Sequence, residues 1–194
     1  MRFEDGSMMR LYRQTVEDFG LYPGLELSAE QYRKLQTAAG QMSAKMRAVR
    51  IVTASNVSKQ DLKKRLVSKG ENPEHAQQAV QWLEDLQLVD DLKTAQQIVH
   101  SCISKGYGLS RAKQALFEKR IPKEYWEQVL ESYPDQQESI VKFLRSRLSE
   151  GYDQKDLRRA IDSLMRKGHS YSQIRRALEE MSLDTEDFPE ETYG

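Results

Sequence analysis

The stretch KGYGLSRAKQALFEKRIP, Lys105–Pro122, holds two glycines, a helical middle and a proline stop. Ala112 and Leu116 are four residues apart, so they share one helix face. Arg111, Lys113, Lys119 and Arg120 are basic, and Glu118 is the one acid. The stretch has weaker copies. LKKRLVSKG (Leu62–Gly70), AKQALFEKR (Ala112–Arg120) and AIDSLMRKG (Ala160–Gly168) align without gaps. Leu66, Leu116 and Leu164 coincide, as do Lys69, Lys119 and Lys167, at offsets of 50 and then 48 residues. The next segment matches too, with Ala79-Val80, Val129-Leu130 and Ala177-Leu178 at the same steps.

A further helix is expected ahead of each pair, over roughly residues 41–55, 91–105 and 134–150. The repeating unit is therefore three helices, present three times. One such unit buries little apolar surface by itself, and tandem units share interfaces in an elongated, curved body. The expected class is mainly α, with an N-terminal β-hairpin and helix over 1–40. Three-helix repeats follow over 41–89, 90–133 and 134–183, and an acidic tail covers 184–194.

Start signals support the division. Ser28 with Gln31 forms a capping box before a helix expected to end near Gly40. Ser58 with Asp61, Asn72 with Pro73, Ser110, Pro122, Pro134, Asp153 with Asp156, and Ser170 are further caps or first-turn residues. Asp90-Asp91 caps a helix in the same way rather than holding a cation. Asp5-Gly6 supplies the positive backbone angles of a tight hairpin turn.

Thirty basic and thirty acidic residues cancel over the 194-residue chain, so net charge points to no partner. Charge instead alternates along the sequence. Residues 56–70 carry Lys59, Lys63, Lys64, Arg65 and Lys69 against Asp61, and 71–91 carry six acids and no Lys or Arg. Residues 124–138 carry five acids and no base, and the last sixteen residues seven acids and no base. Either the basic second helices lace to acidic third helices, or they form a ridge for a negative partner. Arg175 and Arg176, on the last helix, break the pattern.

The chemistry of catalysis is missing from the sequence. It has no phosphate-binding glycine loop after a strand. His75, His100 and His169 lie far apart, and no activated nucleophile is recognisable. The reading is of a protein that is not an enzyme and uses no cofactor or metal. Cys102, following Ile98 and Val99 at helical spacing, fits a core thiol in a reducing compartment. No apolar run approaches the roughly 20 residues of a membrane helix. A cytoplasmic monomer is expected.

The segment LQLVDDLKTAQQIVHSCISKGYGLSRAKQALFEKRIP (86–122) resembles the RecX family, regulators of the RecA recombinase. The matching residues are Val89, Asp90, Asp91, Lys105, Gly106, Gly108, Arg111, Leu116, Lys119 and Ile121. Arg120 stands where the family often has glycine. SKQDLKKRLVSKG resembles the family's first-unit motif, and the N-terminal segment through FGLYPGLELS is similar to the extension of longer members. The resemblance implies tandem three-helix units that lodge along the RecA–single-stranded-DNA filament. It implies restraint of filament growth, ATP hydrolysis, strand exchange and repressor cleavage by binding alone. Direct nucleic-acid binding without RecA and a plain structural adaptor are the alternatives.

The residues expected to meet acidic filament surface or DNA phosphates are Lys63, Lys64, Arg111, Lys113, Lys119, Arg120, Arg145, Arg147, Arg158, Arg159 and Arg166. Tyr107 is expected to pack beside Gly108 rather than to stack on a base. Trp82 and Trp126 are expected as core anchors. The acidic tail is a candidate shield for the basic ridge.

Overall fold

A computed structural model describes residues 1–4, 6–148 and 151–181. Among them are ten α-helices and one 3₁₀ turn, and no strand. The expected hairpin is reduced to one antiparallel bridge, Arg2 with Met8, beside a turn in which Ser7 O accepts from Phe3 N at 2.9 Å. Phe3 sets its ring edge-to-face on Tyr32, centroids 5.2 Å apart. The 184–194 tail lies outside the described residues.

The chain forms two compact halves, Met1–Thr94 and Ala95–Gly194. In the first, α1 (Arg13–Asp18) packs on α2 (Ala29–Ala54), and α2 packs with α3 (Lys59–Ser68) and α4 (Pro73–Asp85). Ala44, Ala48, Leu62, Leu66, Ala76, Val80 and Leu83 form its core, with Trp82 packed against the edge. Alanines on α2 and α4 let the two helices close up. Gly40 belongs to the same contact. The expected helix end there is absent and α2 runs straight through. A Cβ at Gly40 would come within 2.5 Å of His75 Nδ1, so glycine here serves close helix approach, not a cap.

The second half contains the body of α5 (Asp91–Ser104), whose first turn belongs to the first half. Next come α6 (Leu109–Glu118), a 3₁₀ turn (Lys123–Tyr125) running into α7 (Trp126–Leu130), α8 (Gln137–Arg147), α9 (Gln154–Arg166) and α10 (Tyr171–Glu180). Leu116, Ile140, Leu144, Leu164, Ile174 and Leu178 are fully buried here. Cys102 is buried as expected, and burial pushes its thiol up from the usual value. Trp126 is half-buried, and its indole N–H donates to Ile121 O at 3.0 Å.

Local chemistry sets most boundaries. Ser28 and Gln31 exchange both capping-box bonds, at 3.2 and 2.8 Å. Ser170 and Gln173 do the same. Ser58, Asn72 and Asp153 each accept a first-turn N–H. Ser110 is a first-turn residue of α6, whose cap is Gly108. One expected start differs: α8 starts at Gln137, whose N–H meets Asp135 Oδ1 at 3.1 Å, rather than at Pro134.

The helix ends repeat more closely than the starts. After α3, α6 and α9 the chain turns through a left-handed residue, Gly70 (φ +88°), Arg120 (φ +54°) and Gly168 (φ +86°). In each case the following N–H reaches back to the aligned leucine: Glu71 to Leu66, Ile121 to Leu116, His169 to Leu164. Those three following residues are all buried. Ile121 needs no partner. Glu71 accepts from Arg47 Nε at 2.6 Å and from Ser43 Oγ at 3.0 Å, and His169 bonds to the middle repeat.

Candidate partner-binding faces

The glycines of KGYG are placed by the third repeat. Gly108 N donates to Lys167 O at 2.9 Å. A Cβ at Gly108 would come within 2.0 Å of Gly168 O, and a Cβ at Gly168 within 2.4 Å of Arg111 N. Backbone meets backbone at this joint, so a side chain fits at neither position. Gly106 O bonds His169 Nε2 at 3.0 Å, and Tyr107 O accepts from Tyr133 Oη at 2.6 Å. The polar groups of the loop are thus engaged within the protein, so KGYG is a joint and not an anion cradle. The Tyr107 side chain in this loop is half-buried.

Burial controls the titration of the joint. His169 is 3% exposed, and burial pushes its imidazole below the usual value. Its Nδ1 is buried with no partner. Desolvation pushes the Tyr133 phenol up to about 12. With Nε2 facing a carbonyl, the neutral Nε2–H tautomer is the one that satisfies the contact.

A second joint, in the first half, was not legible in the sequence. Asp90 caps α5 as expected, its Oδ1 accepting from Lys93 N at 3.0 Å. That N–H bond holds the Asp90 carboxyl below its usual value. Asp91 turns the other way. It is 3% exposed and accepts from Lys59 N, the first residue of α3, at 2.8 Å. Desolvation pushes its carboxyl up, opposed by that N–H bond.

The expected contact residues fall on several faces. On α3, Lys64 is exposed and Lys63 half-buried. Their neighbours are tied internally, Lys59 to Glu84 at 2.7 Å and Arg65 to Asp61 at 2.8 Å. On α6, Arg111 pairs with Glu118 at 3.4 Å, and Glu118 also accepts from Gln114 at 2.9 Å. Lys113 is exposed beside a shallow depression of about 590 Å³ lined by Leu109, Lys123, Trp126 and Leu130. Lys119 and Arg120 are half-buried. Phe117, 70% exposed on the same helix, was not singled out by the sequence reading.

On α8 and α9, Arg145, Arg147, Arg158, Arg159 and Arg166 are exposed. Three of them converge. Arg147, Arg159 and Arg166 line one groove of about 400 Å³ with Phe143, Asp156 and Ser163. Arg147 and Lys167 both lie over the Phe143 ring, at 5.5 and 4.3 Å from its centroid. Arg145 and Arg158 are outside that lining. Phe143 and Lys167 were legible only as an apolar stripe and a repeat marker. Among the described residues no three His, Cys, Asp or Glu side chains form a metal site. No helix among them is long and apolar enough to cross a membrane.

Residues 90–130, from the Asp90 cap through the joint to α7, match the family model described as RecX, second three-helix domain. That segment is similar to a RecX three-helix domain. The likeness to RecX extends well beyond it. Regulatory protein RecX of Vibrio campbellii is 26% identical over 159 residues, covering 80% of this chain and 99% of its own. Regulatory protein RecX of Vibrio parahaemolyticus is 27% identical over the same length and shares. The fold agrees as well. A crystal structure of regulatory protein RecX superposes with a TM-score of 0.67 at 22% identity, covering 91% of this chain and 92% of that one. RecX from Lactobacillus salivarius gives 0.62 at 22% identity, covering 75% of this chain and 98% of that one. The mainly α class expected from the sequence is the class observed among the described residues, without the expected hairpin, and it matches the fold of these RecX structures.

Proposed function

We propose that this protein regulates RecA by binding along the RecA–single-stranded-DNA filament, in the cytoplasm and with no chemistry of its own. The observation that carries this reading is the match of residues 90–130 to the RecX second three-helix domain, supported by likeness to RecX regulatory proteins over four fifths of the chain. Basic side chains on α3, α6, α8 and α9 are the means. Lys63, Lys64, Lys113, Arg145, Arg147, Arg158, Arg159 and Arg166 meet acidic filament surface or DNA phosphates. Arg111, Lys119 and Arg120 contribute from more enclosed positions at the joint. Restraint of filament growth and of ATP hydrolysis follows from occupying filament that must rearrange during turnover. Co-sedimentation tests this. The protein should pellet with preformed RecA filaments on single-stranded DNA at salt where it no longer binds the bare strand. Equal binding to bare strand and filament at every salt would replace this reading with direct nucleic-acid binding.

A further inference from the structure

The second helices of the middle and third repeats carry the same arginine with opposite neighbours. In α6, Arg111 finds Glu118 seven residues on, at 3.4 Å. The aligned pair in α9 is Arg159 and Arg166, both cations. An internal ion pair has become two like charges on one groove. Arg147 enters the same groove from α8, and Lys167 lies against its Phe143 wall. Asp156 is the one acid in the lining, and it reaches Arg159 only at 3.5 Å, at an exposed position. Such a pair offsets little of the repulsion. Four cations gathered around one carboxylate are at a disadvantage until an external anion joins them.

We propose that this α8–α9 groove is a phosphate-binding channel for a single nucleic-acid strand. Guanidinium groups from two helices suit phosphate oxygens, which they grip through paired N–H donors, and Ser163 offers a hydroxyl to the same space. The Phe143 face is covered by Arg147 and Lys167, so it orients cations and offers no platform for a base. The groove therefore reads backbone and not sequence. The proposal takes its setting from the filament reading above, but its test uses no RecA, so each can fail alone.

The probe is a fluorescently labelled 20-nucleotide oligothymidylate, followed by anisotropy across a salt series. The Arg147→Gln, Arg159→Gln, Arg166→Gln variant should lose affinity about tenfold or more at low salt. Its log-affinity against log-salt slope should flatten by about two, from roughly 0.7 per lost phosphate contact. The matched variant Arg33→Gln, Lys34→Gln, Arg50→Gln removes three cations from α2 and should change affinity less than about threefold. Oligoadenylate should bind as oligothymidylate does. The single substitution Arg166→Glu, which gives α9 the carboxylate that α6 has, should fold as well as wild type and also lose binding. Equal losses in the two triple variants, or no loss in the groove variant, would overturn the proposal. So would polyglutamate displacing the strand as well as a nucleic acid of equal charge. Inorganic phosphate raising the melting temperature of wild type alone, with strand binding unchanged in the variant, would assign the groove to free phosphate instead.

Discussion

Helices α6 and α9 begin as the same sequence idea and end in different chemistry. Ala112 and Leu116 in one match Ala160 and Leu164 in the other, and all four are buried. Arg111 matches Arg159 and Lys119 matches Lys167. The two helices part at Glu118 against Arg166 and at Arg120 against Gly168. The first difference closes an ion pair in α6 and leaves an unbalanced groove beside α9. The second reflects crowding, since the Gly168 turn presses on Arg111 backbone. The buried stripe is shared between the two copies, and the differences fall outside it.

The sharpest way to break that comparison is at the glycine joint. Gly168→Ala forces a side chain into a left-handed turn and into a gap of 2.4 Å. A loss of about 3 kcal/mol or more is expected from strain plus overpacking. Chemical denaturation should show it, and Gly108→Ala, at an ordinary φ of −76°, should lose stability through overpacking alone. Gly151, also left-handed but with open space around it, should cost only the backbone term of about 1 kcal/mol on the same change.

Next comes the shared leucine. Leu116→Ala and Leu164→Ala should each cost about 2–5 kcal/mol, because both side chains are fully enclosed. A large disparity would mean that the two repeats do not share one packing scheme.

The polar joints give smaller, pH-dependent effects. The folded His169 imidazole titrates below its unfolded value, so the unfolded chain binds the extra proton. Stability is therefore complete above the unfolded value near 6.5 and falls as pH drops below it. The melting temperature should decline between pH 7 and 5, and His169→Gln, which keeps a donor for Gly106 O, should flatten that decline. Asp91 has the opposite sign. Its carboxyl is raised, so the folded chain binds the proton and stability falls as pH rises from the unfolded value near 3.8 through the folded one. Asp91→Asn should remove that slope while still accepting from Lys59. Asp91→Ala leaves the N–H unpaired and should cost about 1–3 kcal/mol.

The smallest expected effect lies at Arg120. Glycine suits its φ of +54° better, so Arg120→Gly should stabilise by about 1 kcal/mol at most. A large loss instead would show that the half-buried arginine side chain outweighs its backbone strain.

The sequence disclosed the helices because their signals are local. The Leu66, Leu116 and Leu164 stripe, the Ser28 and Ser170 boxes and the Asp90 cap each need only a few neighbouring residues. What the sequence withheld was contact across long separations. Gly40 reads as a helix end until His75 is seen beside it. Gly108 and Gly168 read as ordinary turns until their backbones meet. Asp91 resembles its capping neighbour Asp90, yet its partner is 32 residues earlier. His169 looked unremarkable after a helix-ending glycine, and its partner is 63 residues away. The convergence of Arg147 with Arg159 and Arg166 needs two helices packed side by side. The difference between Glu118 and Arg166 was in plain view, but its meaning depended on the aligned arginine seven residues earlier.

The most direct measurement is the rate of ATP hydrolysis by RecA on single-stranded DNA, with this protein titrated from far below one per RecA. The filament account predicts strong inhibition at low ratios, because one bound regulator affects many RecA subunits. Inhibition only when there is enough protein to coat the DNA, or none at all, would contradict it.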